Sequence, residues 1–307
     1  MRINDISQRL NLQKKDMWYY FNNEYAYYKN NNVRQFELYG KKINALYKNI
    51  NVQVVMTKAC PFDCPFCVEK VNPISPAAGT APVDGKKGLI LRLCQSLYKS
   101  GCNPTFSITG GEPMLYPQDS IEIQKFICDL GYKVNINTCG IVTDKNIMDN
   151  FERINLSVHD SNPLKNSKIF GGMREKYWEE FDPNTTTIQK VLNLPCTGMD
   201  LGTFILHLPK FKRFSFRLPT QSLDEKNWDW TKFMETIPKY YYSSSWKFLQ
   251  QKIGDYYFYE DWMWANKHIH ISYSSIQQLR EYKIRGDNFV RAIIICPDNT
   301  IQYDWVN

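Results

Sequence analysis

Strands alternating with helices about every 28 residues, a middle too short for eight such units, and aromatic-rich ends around an aromatic-poor centre together predict an α/β fold. It is a partial (βα)6 TIM-like barrel with aromatic-rich N- and C-terminal extensions. Six strand patterns lie between residues 51 and 217. One βαβ unit takes ~30 residues, and a full eight-unit barrel about 250. An incomplete barrel therefore fits this span better than a closed one.

The first region, residues 1–49, is expected to be a helical extension. It carries 10 aromatics, 9 basic and 4 acidic residues, so +5 of the chain's net +7 lies there. The barrel follows over 50–217. Its strands are expected at 51–57, 104–109, 132–137, 153–158, 186–193 and 213–217, with helices at 86–100 and 120–130. Gly131 follows the second helix as a C-terminal cap. Residues 218–307 form a C-terminal α/β region suited to cap the substrate. Within it, 227–252 reads as helical, His268–Tyr273 alternates as a strand, and RAIIIC-PDN-TIQYDW reads as a terminal hairpin.

Composition excludes several classes. Hydrophobic residues are 43% and charged residues 22%, a globular balance. No apolar run approaches the ~18 residues a membrane span requires, so no membrane partner is expected. The N-terminus MRINDISQRLNLQKKDMWYY has no apolar core of a secretory signal, and a cytoplasmic location is expected. Nine cysteines are too sparse for a disulfide scaffold and point instead to metal or chemistry. The charge of +7 favours an anionic ligand, with a merely soluble basic surface the competing explanation. The aromatic runs at 240–248 and 256–264 could stack bases, but few basic residues accompany them, so a lid or core role is expected and nucleic acid is not.

Directly after the first strand comes Cys60-Pro-Phe-Asp-Cys64-Pro-Phe-Cys67. Three thiolates within eight residues can converge on zinc, given a fourth ligand, or on three irons of a cubic iron–sulfur cluster. The loop sits at the C-terminal end of a strand, where an α/β barrel keeps its active site. The loop after strand two is Thr109-Gly110-Gly111-Glu112-Pro113. Glycines there allow close backbone approach to a ligand, and peptide groups with a carboxylate could bind an ammonium. A simple tight turn is the alternative.

Together the two motifs resemble the radical S-adenosylmethionine (radical SAM) enzymes, over roughly residues 50–217. The resemblance implies a single 4Fe–4S cluster on Cys60, Cys64 and Cys67, with S-adenosylmethionine chelating the open iron and the loop at Gly110, Gly111 and Glu112 contacting its amino group. Phe66 matches the aromatic that packs near the adenine. Asn137-Thr138-Cys139-Gly140 resembles the family's T-N-G loop, with cysteine in place of asparagine. Ser157 matches a contact to the cofactor's carboxylate or ribose. Arg217 matches an arginine the family often has at the end of strand six, and the resemblance counts it among the cofactor-binding residues, where it could pair with a carboxylate. No catalytic side chain is assigned.

The implied activity is reductive cleavage of S-adenosylmethionine to a 5′-deoxyadenosyl radical that abstracts hydrogen from a small-molecule or nucleotide substrate in biosynthesis, with an external one-electron reductant of flavodoxin or ferredoxin type. Two alternatives stand: modification of a ribosomally made peptide, and a non-catalytic iron–sulfur or zinc protein. No C-terminal cysteine group supports a second cluster. Cys94 and Cys128 are expected in the core. Cys139 and Cys296 are expected to be small buried residues. His268 and His270 share a strand face with no third ligand evident, and are read as a polar face.

Overall fold

The computed structural model describes residues 34–67, 82–172, 175–192, 198–217, 246–253, 257–274, 276–286 and 288–305. Six parallel strands form its centre: β3 (Asn49–Val55), β4 (Asn103–Thr109), β5 (Val134–Thr138), β6 (Arg153–Ser157), β7 (Thr186–Val191) and β8 (Arg213–Arg217). The intervening helices are α1 (Val83–Lys99), α2 (Pro117–Asp129), α3 (Lys145–Met148), α4 (Pro163–Phe170) and α5 (Gly198–Leu206). All six strands lie within about two residues of their expected places, because alternation of apolar and polar residues marks them directly. Gly131 takes φ +88° just beyond α2, as a helix C-terminus favours.

The C-terminal strands lengthen both edges of this sheet. On one edge β13 (Ala292–Ile295) runs parallel to β3, and β14 (Ile301–Tyr303) pairs with it as the expected hairpin. On the other, β11 (Lys267–Ser274) runs parallel to β8, followed by antiparallel β10 (Tyr257–Trp264) and β9 (Trp246–Ile253). The resulting eleven-stranded sheet is open, ending on β14 and β9.

Register sorts the side chains into two faces. Ile188 pairs Phe214, which pairs Ile269; Phe204 of α5 packs edge-on against Phe214 and Phe216. That apolar face lies under the helices. The residues between them, such as Gln189 and Ser215, turn to the opposite, hollow face.

Two expectations are corrected. The N-terminal extension is not helical where it is described: β1 (Arg34–Leu38) and β2 (Lys41–Ala45) form an antiparallel hairpin, joined in a small sheet by β12 (Phe289–Val290). Tyr39 and Gly40 both take positive φ, the geometry a two-residue hairpin turn requires. Phe36, Leu38, Ile43 and Ala45 alternate onto the core, a strand period rather than a helical one. Residues 1–33 lie outside the described residues. Likewise the helix expected over 227–252 is strand β9 from Trp246 onward, and 218–245 lie outside the described residues. Among the described residues no helix is long and apolar enough to cross a membrane.

Candidate functional site

Parallel strands place all their C-terminal loops on one rim, and the cysteine loop stands there after β3. Its approach is clamped to the loop after β4. Met56 N–H donates to Thr109 O at 2.9 Å, Gly111 N–H to Thr57 O at 2.7 Å, and Glu112 N–H to Ala59 O at 2.9 Å. A Cβ at Gly111 would come within 2.2 Å of Ala59 O and 2.4 Å of Lys58 O; one at Gly110, whose φ is +147°, would meet Thr57 O at 2.4 Å. These glycines are needed for the approach of one backbone to another, which sequence reasoning ascribed to a ligand.

Glu112 is also turned inward. Its side chain is 1% exposed and accepts from Met114 N–H at 2.9 Å, the Thr138 hydroxyl at 2.7 Å and Cys139 N–H at 2.7 Å. Burial pushes its pKa up, and the donors partly offset this. The carboxylate is a brace between the ends of β4 and β5, not an exposed group awaiting an ammonium. The Cys139 thiol, buried in the same place, lies in hydrogen-bonding contact with Cys60 and Glu112; burial is the main cause raising its pKa. The loops after β3, β4 and β5 are thus one connected unit. The T-C-G departure at Cys139 was the available signal for that contact.

Cys60 is exposed, while Cys64 and Cys67 are half-buried; none of the described cysteines is in a disulfide. Cys67 N–H donates to Cys64 O at 3.2 Å, turning the chain back between them. Among the described residues no three Cys, His, Asp or Glu side chains close into a metal-holding group. The donor set nevertheless fits an iron–sulfur cluster: three thiols on one short rim loop, whose backbone is held from beneath by the Gly110–Gly111 turn. Cys94 is buried as expected, but Cys128 is exposed on α2 and is corrected to a surface residue.

Phe66 packs against His159, which follows β6, with ring centroids 4.3 Å apart and planes tilted by 59°, and His159 lies 5.0 Å from Phe170. Burial, with Lys190 nearby, pushes His159 down to about 3, so the ring is neutral. Sequence reasoning did not single out this histidine. Asn137 is paired, its Oδ1 accepting from Asn155 at 2.8 Å. Ser157 gives its backbone carbonyl to the Tyr177 hydroxyl. Gly140 fits against the same ring: a Cβ there would come 2.7 Å from Tyr177. Arg217 ends β8 at the far side of the rim with its side chain exposed.

The site is thus a parallel sheet whose rim carries a three-cysteine loop clamped to a glycine turn. Residues 54–194 match the model of the radical SAM superfamily and form its domain in this chain. The family works with an iron–sulfur cluster and S-adenosylmethionine. Among solved structures, Streptococcus suis SuiB bound to S-adenosylmethionine is 14% identical with a TM-score of 0.56, over 82% of this chain and 59% of that one. SuiB bound to the precursor peptide SuiA is 19% identical with a TM-score of 0.47, over 63% and 46%. TYW1 with a lysine-pyruvate adduct is 19% identical with a TM-score of 0.43, over 68% and 78%. The chain spans about half the length of the SuiB chains it matches. No curated protein matches it.

Proposed function

We propose that this radical SAM enzyme holds one 4Fe–4S cluster on Cys60, Cys64 and Cys67 and abstracts a hydrogen atom from a small-molecule or nucleotide substrate. The observation that carries this reading is the clamp between the cysteine loop and the Gly110–Gly111 turn. A zinc site would need no such partner loop.

When bound, the cluster and S-adenosylmethionine supply one-electron reductive cleavage and a 5′-deoxyadenosyl radical, with the electron from a flavodoxin- or ferredoxin-type donor. The chain supplies position and exclusion of water. The Glu112 brace fixes the loop after β5 against the loop after β4, so the cysteine backbone rests on a rigid base. The carbonyls of Gly110 and Gly111, not the loop amides already paired with 57 and 59, are assigned to accept from the methionyl amino group. Phe66, backed by His159, offers an apolar face to the adenine. The Ser157 hydroxyl is available to the cofactor's carboxylate or ribose. Residues 218–307 are assigned the substrate-capping role, and the polar hollow face next to β8 supports a small polar substrate.

The test is anaerobic reconstitution with iron and sulfide, reduction, and addition of S-adenosylmethionine. About four irons per chain and slow 5′-deoxyadenosine formation are expected, both lost in a Cys60/Cys64/Cys67→Ala variant. One tightly held zinc without cleavage under any reductant would sink the reading. Faster 5′-deoxyadenosine formation with peptides than with nucleotides and small acids would keep the class and overturn the substrate assignment.

A further inference from the structure

Register lines up one polar residue per strand across the hollow face. Ser157 pairs Gln189, Gln189 pairs Ser215, Ser215 pairs His270, His270 pairs Asp261, and Asp261 pairs Gln250. Paired residues share a face, and at about 4.8 Å per strand the row spans roughly 24 Å. It begins at the strand that precedes the Phe66–His159 contact and ends on β9.

Asp261 is only 4% exposed, and a buried carboxylate needs donors. It has them. His270 Nδ1 lies 2.8 Å from Oδ1, Gln250 Nε2 donates to Oδ2 at 2.6 Å, and His268 Nε2 stands 3.6 Å away. A carboxylate only accepts, so His270 Nδ1 carries the proton. Burial lowers the His270 pKa more than Asp261 raises it, with Arg217 and His268 also lowering it, so the ring is neutral at pH 7. The Tyr259 ring packs 5.0 Å from it. Its Nε2 is then an acceptor, and among the described residues it has no partner.

Arg217 stands one pleat further up the same face, paired with Ser272. Its backbone is held in the ladder opposite Val191 and Ser272, and its carbonyl accepts from Leu192 N–H at 2.8 Å, while among the described residues its guanidinium has no partner. Its surroundings are dense enough to lower its pKa, yet its side chain remains open to water. The polar-face reading of His268 and His270 is therefore incomplete, because the cross-strand Asp261 makes one of them an oriented group.

We infer that Arg217, which the resemblance would give to the cofactor, and His270, oriented by Asp261, form instead a recognition site for an anionic polar substrate. Arg217 takes a carboxylate or phosphate bidentately, and His270 Nε2 accepts from a hydroxyl or amine of the same molecule. The inference deepens the small-molecule reading and rests on it for its place in the reaction. The site itself is independent of iron–sulfur chemistry.

The chain has four histidines, so imidazole resonances of the full, anaerobically purified protein are few enough to assign by His270→Gln. Titration with inorganic phosphate, and separately with acetate, is expected to shift the His270 resonance. Arg217→Gln should weaken that response about tenfold or more, as loss of a charge-assisted pair does. Asp261→Leu, which offers no acceptor, should abolish the preference for a proton on Nδ1, read from the ring nitrogen shifts. Response to phosphate alone or acetate alone decides between the two anions and supports the site either way. No response to either anion, or an equal response in Arg217→Gln, overturns it. Neither result depends on 5′-deoxyadenosine formation, so failure here is distinct from failure of the radical reading.

Discussion

The two sides of the rim spend their polar groups differently. At β3–β5, buried polar groups are matched within the chain: Glu112 meets three donors, and the loop amides of Gly111 and Glu112 meet carbonyls of 57 and 59. At β8–β11, the Arg217 guanidinium and His270 Nε2 are left without partners among the described residues. The first side resembles a folded core and the second a surface waiting for a ligand. Internal satisfaction fixes a geometry; an unmatched, oriented donor or acceptor recognises something else.

The contrast breaks most severely at Gly111. Gly111→Ala puts a methyl group onto the carbonyls of 58 and 59, where backbone must move. A loss of about 3 kcal/mol or more is expected, with iron content after reconstitution falling toward that of the triple cysteine variant. Iron retained at wild-type level would show that the clamp does not shape the cysteine loop. Glu112→Ala comes next. It leaves the Thr138 hydroxyl and two amides without their acceptor, at about 2–3 kcal/mol in denaturant melts, with Glu112→Gln falling between it and wild type.

The same contrast explains what was legible in the sequence. The strands and the cysteine and glycine motifs declare themselves by local pattern, and β8 lies at 213–217 as expected. Orientation does not declare itself. Glu112 read as an exposed carboxylate because nothing local says that the end of β5 will offer it Thr138 and Cys139. His270 read as one of a polar pair because Asp261 comes opposite it only through the register of β10 on β11. The hairpin at 34–45 was misread as helix because its turn, Tyr39-Gly40, lacks the usual Asn-Gly or Asp-Gly signal.

Acid sharpens the comparison on the cofactor side. His159 is neutral when folded, with a pKa pushed down to about 3 from an ordinary value of 6.5. Between those values the unfolded chain binds a proton that the fold refuses. Stability should therefore fall as pH drops below about 6.5, by up to ~1.4 kcal/mol per pH unit from this residue. His159→Phe keeps an aromatic ring beside Phe66 and Phe170 and removes the titration. Its stability profile from pH 6 to pH 4 should be flatter than wild type by up to that slope. Parallel profiles would mean that the Phe66–His159 contact is open to protons, and hence to water.

The smallest effect is the most telling for the far side. Arg217→Gln removes a charge that no described residue uses, so the melting free energy should change by less than about 0.5 kcal/mol. The same substitution is expected to remove most of the anion response at His270. A structural arginine would give the opposite pattern, losing stability when replaced whether or not an anion is present. Melts of wild type and Arg217→Gln with and without phosphate separate these cases: phosphate should stabilise only the wild type, because a ligand stabilises the fold only in proportion to its binding to it. A variant that is destabilised without phosphate, and rescued by phosphate no differently from wild type, would place Arg217 with Glu112 among the groups that hold the fold.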